Sequence, residues 1–262
     1  METLSRELKG PLVELLLSLA DDKLMLGHRN AEWTGLGPIL EEDIAFSALA
    51  QDELAHAQTL YEFIAELTGE NADALAYGRP PAEYRCAALV EAPDDLDWGK
   101  AVFRQFLCAH FNALRLDRMT RSSYSPLAAW AARVRAEEQI HIEHADGWIQ
   151  RLSRGTEESH QRLQAAVHAF GPLASGLCQP TSDVDRLEAV GLYPGQTAEM
   201  NKTYLAGIAH LLSASNLSYS DNDFLPPSIP ASGGRTGQHS SVFAEALDEL
   251  AEVYRVEPNA RW

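Results

Sequence analysis

"DELAH" at residues 52–56 and "EEQIH" at residues 137–141 set Glu53 and His56, then Glu138 and His141, at one spacing, Glu-x-x-His. Residues three apart on a helix project from the same face about one turn apart, so each pair aims a carboxylate oxygen and an imidazole nitrogen at one point. Bundles that hold two first-row metals use this motif on two helices and add a carboxylate from each of the other two. The fold therefore turns on whether both motifs sit on the second helix of a hairpin.

The flanking pattern says that they do. From Leu12, apolar residues recur at Leu15, Leu16, Leu19 and Leu26, a period of 3.6 rather than strand alternation. Gly35, Gly37 and Pro38 break the chain, and a second helix is predicted over about Leu40–Thr68, closed by Gly69. Residues 70–97, with Pro80-Pro81 and "EAPDDLD", read as a connection carrying one short helix. A third helix is predicted over about Trp98–Thr120, and "RSSYSP" turns it into a fourth, about Leu127–Leu152. Past Gly155 the pattern predicts more helix interrupted at Gly171-Pro172, then helices near Ala198–Leu212 and Val242–Tyr254. Between those last two, residues 215–241 are rich in Pro, Gly and Ser and read as a long functional loop or contact arm. The expectation is an all-α four-helix bundle of two antiparallel hairpins with additional C-terminal helices. It is read as one domain over residues 1–262, with a core at about 5–155 and a helical extension at about 156–262.

Antiparallel geometry tests the remaining ligands, because residues equidistant from a turn lie at one height. With the first turn near Pro38, Glu53 and His56 face residues 20–23, which include Asp21 and Asp22. With the second turn between Ser123 and Tyr124, Glu138 and His141 face Phe106, Leu107, Cys108 and Ala109. No acidic residue lies between Asp97 and Asp117; His110 and Asn112 are the nearest polar candidates. The candidate metal set is thus Asp21, Asp22, Glu53, His56, Glu138 and His141, one carboxylate short, which leaves two readings open: no bound cofactor, or weak or partial non-haem iron. A hydrogen-bonded polar network tied to Lys23 or Arg104 satisfies the physics equally, since buried carboxylates need only be paired, protonated or metal-bound.

Composition narrows the function classes. The 262 residues carry a formal charge of −17, which argues against a nucleic-acid surface. No apolar run approaches the ~20 residues of a membrane span, and the start "METLSRELKG" has no signal-peptide pattern. Cys86, Cys108 and Cys178 are scattered, as in a cytoplasmic protein with reduced thiols. Arg115, Arg118 and Arg121, with Arg133 and Arg135 beyond the turn, form a basic end that either steers an anionic partner or stays solvated near a helix C-terminus. His144 is a surface histidine or a support for His141, and Trp33, Trp130 and Trp148 are core candidates. "GGRTGQH" lacks phosphate-loop spacing.

Beyond pattern, the residues resemble a known family. The stretch from "LADDKLMLGHRNAEWTG" to "AQDELAHAQTLYEFIAEL" is similar to the first hairpin of the C subunits of phenylacetyl-CoA epoxidase, a multicomponent ring-epoxidising oxygenase. "RQFLCAHFNALRLDRM" and "AEEQIHIEHADGWIQRL" resemble the second hairpin, and "GGRTGQHSSVFAEALDEL" the C-terminus. The resemblance implies a ferritin-like subunit that lacks a complete di-iron site and supports a related, oxygen-activating A subunit in aerobic phenylacetate breakdown. It implies the A subunit and other complex subunits as partners; whether the chain alone forms a homo-oligomer stays open. Two alternatives stay open: an oxygenase subunit that itself activates oxygen at the six residues above, and a stand-alone iron-binding ferritin-like protein.

Overall fold

The structure is a computed structural model, and it describes residues 5–219 and 234–258. All regular structure among them is helical. The chain divides into two compact units, Met1–Pro93 with Ser232–Trp262, and Asp94–Ala231. Each contains one of the expected hairpins.

In the first unit, α1 (Arg6–Ala31) and α2 (Leu40–Thr68) form the hairpin. Leu12, Leu16, Leu19 and Leu26 on α1 and Phe46, Leu60 and Ile64 on α2 are all but fully buried. Each such side chain contributes about 1.5–3 kcal/mol. The turn is built by Gly35, at φ +84°, and by Asp43, whose Oδ1 accepts from the Gly37 backbone N–H at 2.7 Å. Glu41, Glu42 and Asp43 in the first turn of α2 meet the positive end of its dipole. Gly69, also left-handed at φ +84°, closes α2 by donating to the Ala65 carbonyl at 2.8 Å. The connection holds two short α-helices, α3 (Ala72–Tyr77) and α4 (Ala88–Glu91), with a 3-10 turn at Pro81–Glu83 between them, where one short helix was expected. The unit is completed by the chain's last segment, with α10 (Ser241–Leu250) and α11 (Glu252–Val256). The single final helix expected over Val242–Tyr254 is divided at Ala251.

In the second unit, α5 (Trp98–Met119) and α6 (Ser125–Arg154) form the other hairpin, and α7 (Glu157–Leu177) packs on both. Asp97 caps α5 by accepting from the Lys100 backbone N–H at 3.1 Å, and Pro126 occupies the first turn of α6. The predicted interruption at Gly171-Pro172 is overturned, because α7 runs through Pro172. Leu163, Val167, Phe170, Ala174 and Leu177 keep one buried stripe on both sides of the proline. That burial outweighs the ~3 kcal/mol an interior proline costs. α8 (Val184–Ala189) and α9 (Thr197–Ala214) follow. α9 is fixed to α5 by Tyr204, which donates to the Leu107 carbonyl at 3.0 Å. Most of the predicted contact arm, residues 220–233, lies outside the described residues.

Trp33, Trp130 and Trp148 are buried, as core residues should be. No helix among the described residues is long and apolar enough to cross a membrane.

Candidate functional site

Each Glu-x-x-His pair lies on the second helix of its hairpin, and Glu53, His56, Glu138 and His141 are all buried.

In the first hairpin the predicted mirror relation about the turn holds, but it delivers a cation. Lys23 Nζ donates to Glu53 Oε2 at 2.6 Å, with both side chains 2% exposed or less. The neighbouring aspartates are held elsewhere. Asp21 Oδ1 accepts from Tyr61 Oη at 2.6 Å and from Arg79 Nη2. Its Oδ2 accepts from Arg79 Nη1 at 3.2 Å and from the Arg85 backbone N–H at 2.6 Å. Those contacts take up the roughly four acceptor sites of a carboxylate. Asp22 accepts both Nη atoms of Arg235, at 2.8 and 2.7 Å, and the Ala87 backbone N–H at 2.8 Å. Arg79 in turn lies 3.9 Å over the Tyr84 ring. Burial and the adjacent Asp21 carboxylate push the Tyr61 hydroxyl well above its ordinary range, so it stays a donor.

Within this half, Asp21 and Asp22 are not placed to hold a metal ion. Asp21 and Asp22 are committed to guanidinium groups and backbone N–H donors. Glu53 Oε2 accepts from Lys23, and Glu53 remains one of the side chains able to offer a ligand atom. Lys23 plays the part foreseen for a polar network, whereas Arg104 pairs instead with Asp94 at 2.8 Å.

In the second hairpin, Glu138 Oε1 and His141 Nδ1 lie 3.8 Å apart. The facing stretch of α5 is apolar, with Phe106, Leu107, Cys108 and Ala109 all buried. The acids that bracket it do other work. Asp97 caps α5, and Asp117 sits at the surface beside Arg121 and Arg135 at 3.5 and 3.2 Å. His110, one polar candidate for the vacant role, bonds to Asp146 at 2.8 Å.

A family model described as phenylacetic acid catabolic protein matches residues 2–262. The chain belongs to that family. It is 28% identical over 254 residues to the C subunit of 1,2-phenylacetyl-CoA epoxidase of Escherichia coli (strain K12), covering 96% of this chain and 99% of the relative. The resemblance drawn from the two hairpins and the C-terminus thus extends over the whole length.

Against this family background, the basic end of α5 reads differently from either expectation. Arg118 is neither solvated nor free to steer a partner. It donates to the carbonyls of Tyr193, Pro194 and Gly195 at 2.6–2.9 Å and to Glu188 Oε1 at 2.7 Å, while its plane stacks on Tyr193 at 3.6 Å. Arg115 is also buried, so only Arg121, Arg133 and Arg135 are exposed there. Sequence reasoning also missed Arg79 and Arg235. Their partners on α1 lie 58 and 213 residues away, and no local spacing announces such a pair.

Proposed function

We propose that this chain is the supporting, non-catalytic ferritin-like subunit of a phenylacetyl-CoA epoxidase, holding a related catalytic di-iron subunit during aerobic phenylacetate breakdown. The observation that carries the reading is the Lys23–Glu53 pair at 2.6 Å, an ammonium bonded to the motif carboxylate of the first hairpin. Asp21 and Asp22, the other acids of that half, buttress the fold through Arg79 and Arg235. The stretch of α5 at residues 106–109 carries no carboxylate, so the second hairpin lacks the α5 acid that a full di-iron set requires. Iron in the isolated chain is therefore weak and substoichiometric, and the oxygen chemistry belongs to the partner. Family membership and the likeness to an epoxidase C subunit support the place in the complex.

Reconstitution tests this. The purified chain, supplied with iron and a reductase, is expected to leave phenylacetyl-CoA unchanged, and the same mixture with the catalytic subunit is expected to turn it over. Glu138→Ala and His141→Ala are expected to lower the melting temperature of the complex more than its turnover. Two tightly bound irons per chain, with complex activity lost on either substitution, would assign the chemistry to this chain instead.

A further inference from the structure

One group of ligand atoms in the first unit lies outside the Glu-x-x-His motifs: Cys86, Glu91 and His239. Cys86 Sγ lies 3.8 Å from Glu91 Oε1 and 4.0 Å from His239 Nδ1, and those two atoms are 2.5 Å apart. All three side chains are at most 3% exposed. We propose that they form a binding site for a zinc-class divalent cation, ligated by Cys86 Sγ, Glu91 Oε1 and His239 Nδ1, that staples the C-terminal segment to the first hairpin's connection.

Ligand chemistry, distances and orientation support the site. A thiolate, an imidazole and a carboxylate are a donor set of zinc and its neighbours, and the sulfur disfavours magnesium or calcium. Metal–ligand bonds of about 2.0–2.3 Å in tetrahedral array imply donor separations of about 3.3–3.6 Å. The two sulfur edges are within about half an ångström of that, and the nitrogen–oxygen edge needs a small rotation of Glu91 to open. His239 Nε2 lies 3.1 Å from the Tyr84 carbonyl, the outer contact that leaves Nδ1 as the ligating nitrogen. The ring is fixed by stacking on Phe243 at 4.1 Å. The Ser240 backbone N–H and hydroxyl, each 3.3 Å from Glu91 Oε2, hold the carboxylate. Arg29 clasps the Glu91 backbone carbonyl at 2.8 Å. Without a cation, burial and then the Glu91 charge keep the Cys86 thiol protonated, and a bound dication reverses that balance.

The backbone is shaped for the same approach. A Cβ at Gly234 would fall 2.0 Å from the Cys86 carbonyl oxygen, and one at Gly237 equally close to that of Ala82. Glycines at these two positions let the segment carrying His239 lie directly on the segment carrying Cys86. Three protein ligands leave a fourth position for water, and the stapling role rests on the burial of all three side chains where the two segments meet.

Cobalt titration of the metal-free full-length chain tests the site, read by absorbance and followed by competition with zinc. The expected result is a thiolate-to-cobalt charge-transfer band that saturates at one equivalent, is displaced by zinc, and persists in Cys178→Ser. Cys86→Ser keeps a hydrogen-bond donor to Glu91 and is expected to lose the band, with zinc binding weakened by at least ~10–100-fold. His239→Asn is expected to weaken binding similarly, and circular dichroism checks that both variants keep the wild-type helix content. Absence of a sulfur band at any cobalt concentration, or a band unchanged in Cys86→Ser, would overturn the site. The readout is independent of epoxidase activity, so it stands or falls apart from the proposed function.

Discussion

Replacing Lys23 by Met removes the ammonium while keeping an unbranched, helix-compatible stem. The residue it leaves behind is Glu53, 0% exposed in the middle of α2. Removing one partner of a buried ion pair costs about 3–5 kcal/mol, well above the ~1 kcal/mol ceiling of a surface pair. For a chain of this length each kcal/mol shifts the midpoint by about 2–4 °C, so Lys23→Met is expected to melt roughly 6–20 °C lower. Adding Glu53→Leu replaces the pair with apolar volume and is expected to recover most of the loss, since such exchanges are often neutral or stabilising. Thermal melts of the wild type, both single variants and the double variant form a cycle whose coupling term isolates the pair. Two results refute the reasoning: a Lys23→Met midpoint within about 1 °C of wild type, or a double variant whose loss equals the sum of the singles.

Arg235→Met is expected to destabilise by about 3–5 kcal/mol by removing the guanidinium that balances Asp22, and to expose the segment after residue 234 to limited proteolysis; hydrogen exchange at α10 checks which part opens. Glu188 carries a pH signature. Burial alone would raise its carboxyl, but hydrogen bonds from Thr197 and Arg118 bring it below its ordinary value of 4.5. A carboxyl lowered on folding stabilises above its unfolded value, and the contribution is lost as pH falls through the folded value. The wild type is therefore expected to out-melt Glu188→Gln at pH 7, and the gap should narrow below about pH 4.5; a gap that widens on acidification would contradict the assignment.

Helix placement is legible in the sequence because it rests on local signals. The turn at Gly35–Pro38, the Gly69 stop and the leucine stripe of α1 each lie within a few residues of what they determine. Height across the first hairpin is legible too, since reflection about the turn pairs residue 23 with residue 53. Which side chain answers Glu53 is not, because reflection fixes height along a helix and leaves rotation open. Asp21, Asp22 and Lys23 occupy nearly one height and point about 100° apart in succession, so Lys23 faces Glu53 while Asp22 turns to Arg235. Pro172 misleads for the opposite reason. A local breaker signal is strong in a sequence window, and the buried stripe that overrides it appears only when α7 meets α5. Cys86, Glu91 and His239 lie beyond any window, with the histidine 148 residues from the glutamate.

The pairing of Asp22 with Arg235 also orders events in time. The α1–α2 hairpin leaves the ribosome ahead of Arg235, with Asp22 on the side destined for burial. Its guanidinium partner is encoded 213 residues later. At about 5–20 residues per second, that interval is roughly 10–45 s. Until residue 235 emerges, the first unit lacks the charge that lets its aspartate leave water, so this part of the chain is committed to its final packing only after that interval.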